Sequence, residues 1–147
     1  MFKFLLVAAL VPAMAMATIS FSACPNGVPA PTSLTVNDCT GNVCILVAGQ
    51  PLYALASGIV SPIGSSSVTA SIGARVSGVG PAYQIPIVNT GGIIGGGPVV
   101  AGVPFDYAVI ENSVAVPARG VFGQLQVDLI GDGGITLACV RFNAEIL

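Results

Sequence analysis

The chain has 147 residues, of which 7% are charged and 54% hydrophobic, against about 25% and about 45 to 50% in ordinary soluble domains. That length suits one domain with a real core. Four basic residues against six acidic ones give a net charge of −2, which argues against a nucleic-acid-binding surface.

The N-terminal stretch MFKFLLVAALVPAMAMA carries one positive charge at Lys3, an apolar run from Phe4 to Val11 and the small-x-small triplet Ala15-Met16-Ala17. This is the pattern of a secretory signal, with cleavage expected after Ala17. Residues 1–17 are therefore assigned to the signal and 18–147 to a single domain. A transmembrane anchor would need about 20 apolar residues, and Pro12 interrupts the run. The remaining chain keeps three arginines against six acids, a net charge of about −3. Its four cysteines, Cys24, Cys39, Cys44 and Cys139, form an even set in an exported chain and read as two disulfides of three possible connectivities.

Beyond the signal the hydrophobic period is two. Val68, Ala70, Ile72, Ala74 and Val76 alternate with polar or small residues from Ser67 to Ser77. Gly123, Leu125, Val127 and Leu129 alternate with Gln124, Gln126 and Asp128 within a strand from Val121 to Ile130. Val140, Phe142, Ala144 and Ile146 alternate with Arg141, Asn143 and Glu145. Shorter candidate strands lie at Ser33 to Asp38, Leu52 to Ser61, Tyr83 to Val88 and Phe105 to Glu111. Turn signals fall at Pro62 to Ser66, Gly78 to Pro81, Asn89 to Pro98 and Gly131 to Gly134, the last fitting a tight hairpin. Several half-buried antiparallel strands predict an all-β, two-sheet sandwich. The segment NTGGIIGGGP is followed by no Lys-Ser or Lys-Thr and reads as a plain loop rather than a phosphate cradle.

Catalytic constellations are nearly absent. The chain has no histidine, and oxidised cysteines leave no evident metal site or activated nucleophile. Asp128 on a polar strand face and Asp132 in a turn read as solvated carboxylates, as do Asp106, Glu111 and Glu145. No enzymatic activity and no cofactor are expected.

The order Cys24, Cys39-x-x-x-x-Cys44 followed by ILVAGQPL, then GGPVVAGVPFDY, then VDLIGDGGITLACVRFNAEI resembles the ML lipid-recognition family, which includes Niemann-Pick type C2 sterol-transfer proteins and group 2 mite allergens. The similarity runs over essentially the whole chain after the signal. It implies an immunoglobulin-like β-sandwich with a lipid cavity between the sheets, and the disulfides Cys24–Cys139 and Cys39–Cys44. A third family disulfide falls on Gly91 and Gly97, so that bridge is missing and the rigidity of the loop around it is in question.

Inward positions with small residues, Ala70, Ala74, Gly123, Ala144 and either Ala54 or Ala56, favour a cavity from the residues alone, whereas Phe105, Tyr107 and Phe142 could fill it. The candidate cavity and mouth residues are Leu55, Val68, Ile72, Tyr83, Ile85, Phe105, Tyr107, Val114, Val116, Leu125, Val127 and Phe142. The resemblance implies a mouth edged by Tyr83 and by the Val114-Ala115-Val116-Pro117 connection.

The expected role is that of a secreted, extracellular, monomeric carrier of a hydrophobic small molecule, a sterol or long-chain fatty acid, with a membrane or a lipid-transfer protein as transient partner. Two alternatives stand beside it. One is an extracellular immune-recognition protein presenting a bacterial lipid, for which only Arg75, Arg119 and Arg141 could hold phosphates. The other is a structural secreted β-protein with a solid core. No Asn-x-Ser/Thr sequon occurs, which favours bulk secretion over a glycan-directed address.

Overall fold

Strict alternation gives each strand one apolar face, and two such faces bury each other. A computed structural model describes residues 18–76, 83–85, 91–111, 113–114, 120 and 122–147. The strands are β1 (Ser22–Ala23), β2 (Ser33–Val36), β3 (Val43–Leu46), β4 (Leu52–Ile59), β5 (Thr69–Val76), β6 (Tyr83–Ile85), β7 (Ile93–Ile94), β8 (Phe105–Glu111), β9 (Phe122–Ile130) and β10 (Thr136–Ile146). One sheet has the order β1-β10-β9-β5-β6, with β3 also beside β10, and the other has the order β2-β4-β8-β7.

The core lies between the sheets. Leu34, Val36, Ala56, Ile59, Phe105, Tyr107 and Val109 contribute from the four-stranded sheet. Ile72, Ala74, Leu125, Val127, Leu129, Val140, Phe142, Ala144 and Ile146 contribute from the six-stranded one. In the latter part of β10 the alternation predicted from sequence is reproduced residue by residue, and β8 alternates in the same way.

Three short strands, β1, β3 and β7, go beyond the sequence reading. The Gly-rich segment expected to be only a loop contains β7, which pairs Ile93 with Tyr107 and Ile94 with Asp106. The strand β3 runs parallel to β10, from Val43 opposite Asn143 to Leu46 opposite Ile146, although only antiparallel strands were expected. β2 stops at Val36 rather than Asp38 because Asn37 takes a left-handed φ of 46°, and its side chain then accepts from the Tyr53 N–H at 2.8 Å. The last hairpin is wider than a two-residue turn. Its tip is a 3-10 turn over Asp132–Gly134, and the Gly131 N–H donates to the Ile135 carbonyl at 2.7 Å.

β4 carries a bulge. Its register against β8 shifts between Ala56 and Ile59, and Gly58 sits there at φ 69°, a conformation open chiefly to glycine. The Gly58 N–H, displaced from the ladder, donates to Asp106 Oδ1 at 2.9 Å. Asp106 is therefore a backbone partner rather than a merely solvated carboxylate. Glu111 is buried, contrary to its expected solvated position, and accepts from the Ser113 N–H at 3.3 Å.

Candidate functional site

The four cysteines pair as Cys24–Cys139 and Cys39–Cys44, the pairing implied by the resemblance. Cys39 follows β2 of the four-stranded sheet and Cys44 lies on β3 of the six-stranded one, so this short bridge joins the sheets along one edge. A second tie crosses near β5 and β8, where the Tyr107 phenol donates to the Val68 carbonyl at 3.0 Å.

A third set of ties closes the end at the β9–β10 turn. Ser65 and Val99 exchange backbone hydrogen bonds at 3.0 and 2.8 Å. The Asp132 carboxylate accepts from the Ser66 N–H at 2.7 Å and from the Ser66 and Ser67 hydroxyls, while its own N–H donates to Ser65 Oγ at 2.8 Å. The bonds that the carboxylate accepts, led by the Ser66 N–H, hold the Asp132 carboxyl at a pKa of about 2, because they favour its charged form. Asp132 is exposed, as expected, but it locks a turn to the segment that leads into β5.

Between the sheets, Pro31, Leu34, Ala54, Ala56, Ile59 and Val109 face Val127, Leu129, Ala138, Cys139 and Val140 around a void of about 20 Å³. All its lining residues are apolar. Small side chains at Ala54, Ala56 and Ala138 leave the space open. Among the described residues every buried side-chain nitrogen and oxygen has a hydrogen-bond partner, and no cluster of three or more His, Cys, Asp or Glu could hold a metal. No helix of the described residues is long and apolar enough to cross a membrane.

Of the candidate residues, Ile72, Phe105, Tyr107, Leu125, Val127 and Phe142 all enter the buried inter-sheet core, with Val68 packed against it. Of these only Val127 borders the void. Leu55 does not belong with them. Ala54 and Ala56 take the inward positions of β4, so alternation turns Leu55 outward, into an open groove shared with Thr35, Tyr53, Ala108 and Ile110. Val114 is buried rather than lying on an open rim; its N–H donates to the Gln50 carbonyl and its carbonyl accepts from the Gly49 N–H, both at 2.8 Å. The backbone register sets Tyr83 opposite Ala74 and Ile85 opposite Ile72. Val116 lies outside the described residues.

The void residues absent from the candidate set had a readable signal in part. Leu129 and Val140 occupy inward positions of the alternation, and Leu34 and Val109 fall on the same period within their strands. Pro31 and Cys139 follow no period that points to a cavity.

No family model matches the chain. A mite group 2 allergen, Gly d 2.02 of Glycyphagus domesticus, is 28% identical over 116 residues, covering 78% of this chain and 89% of the allergen. The crystal structure of a Niemann-Pick type C2 protein from Japanese carpenter ant superposes with a TM-score of 0.68 at 13% identity, covering 88% of this chain and all of that one. Sequence likeness to the allergen, the sandwich shared with the ant protein and the two disulfides all support the resemblance to the ML lipid-recognition family.

Proposed function

We propose that the protein is a secreted carrier that holds a sterol or a long-chain fatty acid between its two sheets and releases it without chemistry. The observation that supports this most is the inter-sheet void, lined only by apolar residues and kept open by alanines. An apolar interior takes up an apolar guest through desolvation, at about 25 cal/mol per Å² of buried apolar area.

The void of about 20 Å³ is far below the roughly 300 to 1,000 Å³ of ordinary ligand pockets. Loading therefore requires the sheets to part or their side chains to repack. The sheet-crossing bonds at Ser65–Val99 and Asp132 restrain one end. That favours opening at the other, where β5 ends at Val76 and β9 begins at Phe122. Tyr83, one side of the proposed door, pairs with Ala74 near the end of β5, whereas positions 115–117 of the other side lie outside the described residues.

Titration of delipidated protein with a fluorescent sterol and a fluorescent fatty acid tests the reading. Wild type should bind at least one probe, and Val116→Arg should weaken binding while its melting temperature holds, because a charge would stand where the apolar guest passes. Equal binding by the variant would keep the carrier and remove Val116 from its door. Binding of neither probe by wild type would favour a solid-core structural protein.

A further inference from the structure

Three loops meet at the end closed by Asp132: residues 60–68 between β4 and β5, residues 95–104 between β7 and β8, and residues 131–135 between β9 and β10. Their exposed side chains include Val60, Ile63, Val100, Val103 and Ile135, each 39 to 55% accessible. The first two loops contain no Asp, Glu, Lys or Arg, and the third contains only Asp132. Exposed aliphatics gathered without charge are unusual on a soluble surface and mark a place of contact.

We propose that this end of the sandwich docks on a lipid surface, inserting its aliphatic loop tips among the headgroups. Three features favour a fluid lipid partner over a shaped protein one. The side chains stand on three separate connections between strands. The lone charge is directed at Ser66 and Ser67, so insertion would strand no unpaired carboxylate.

The loops also satisfy many of their own polar groups, as backbone entering a poorly hydrated layer must. Ser65 and Val99 exchange two hydrogen bonds, the Gly102 N–H donates to the Ser61 carbonyl, the Val103 N–H to the Val100 carbonyl, and the Gly131 N–H to the Ile135 carbonyl. The Ser61 hydroxyl donates to the Ile63 carbonyl at 2.7 Å, and the Ser65 hydroxyl to the Ser67 carbonyl at 2.7 Å. With no basic residue in the loops, attraction to anionic lipid plays no part. Docking this way turns Val76 and Phe122 away from the lipid, so the surface is an anchor separate from the proposed door. It rests on the carrier reading for its purpose but not for its physics.

The test is flotation of the full chain, expressed through a secretory pathway, with vesicles of neutral phosphatidylcholine. Wild type should float with the vesicles, equally well at about 0.15 M and about 1 M salt. Ile63→Asp and Val103→Asp, both at exposed positions, should each weaken flotation about tenfold while melting and probe binding stay unchanged. Phe122→Asp, at the far end, should float like wild type. Absence of flotation, a requirement for anionic lipid, or equal flotation of all variants would overturn the proposal. So would loop variants that dissolve a self-associated form in light scattering without changing flotation, since the surface would then belong to a second copy. Flotation by a protein that binds neither fluorescent probe would uphold the anchor and remove the carrier reading.

Discussion

The Tyr107 phenol on β8 donates across the sandwich to the Val68 carbonyl at the start of β5, at 3.0 Å. The bond gives a fully buried ring a polar partner and fixes the separation of the sheets beside β5. Tyr107→Phe keeps the ring but leaves the carbonyl without this donor, which should cost about 1 to 2 kcal/mol. Urea unfolding would measure the loss. If the sheets part to admit a guest, the same variant should take up a fluorescent fatty acid faster in stopped-flow mixing; an unchanged rate would mean that this edge stays closed during loading.

Gly58 is held by two constraints at once. Its φ of 69° disfavours any side chain, and a Cβ there would collide with Thr32 Oγ1. Thr32 cannot turn away freely, because its hydroxyl and its N–H both donate to the Ser57 carbonyl, at 3.0 and 2.8 Å. Gly58→Ala should therefore destabilise the fold by about 2 kcal/mol or more. Adding Thr32→Ala should recover the steric part and leave the backbone strain, a partial rescue visible in the melting temperatures of the two variants.

Asp132 links stability to pH. Its carboxyl has a pKa of about 2 in the folded protein against an ordinary 3.8, so the folded state favours its charged form. The stabilisation is complete above the ordinary value and fades as pH falls toward 2. Asp132→Asn should melt lower than wild type near neutral pH, and the difference should shrink between about pH 4 and pH 2. Parallel melting curves whose gap stays constant over that window would assign the effect to another group.

The two disulfides should differ in weight. Cys24–Cys139 spans 115 residues and Cys39–Cys44 spans five. Loop-closure entropy puts their contributions at about 4.8 and about 2 kcal/mol. Replacing each pair by alanine and comparing unfolding midpoints should give that order. The shorter bridge has a second effect, since it joins the sheets; its removal should increase proteolytic cleavage around β3, whose hydrogen-bonded strand neighbour among the described residues is β10.

The long strands were legible in the sequence because one wet face and one dry face leave a period of two, as at Leu125, Val127 and Leu129 or Val140, Phe142 and Ala144. β7 has only Ile93 and Ile94 between glycines, too short to show a period, and is made by pairing with Tyr107 and Asp106. β3 was missed for a similar reason, since VCIL alternates only in exposure and every residue in it is apolar. Within the site, periodicity identified the buried face but not where that face fails to fill. Leu55 was misplaced by a single residue of register, and Glu111, polar in sequence, ended an apolar face whose burial its type does not announce. The polar ties at Ser65, Ser66 and Asp132 join residues more than sixty positions apart, a separation that no local pattern records.

The carrier reading is tested most directly by native mass spectrometry of the protein as secreted, with its bound lipid extracted and identified. One sterol or long-chain fatty acid per chain is expected, recovered in organic solvent and able to rebind after removal. A chain that leaves the cell empty, and that rebinds neither lipid class when both are supplied, would contradict it and leave a sandwich whose apolar interior serves only to hold itself together.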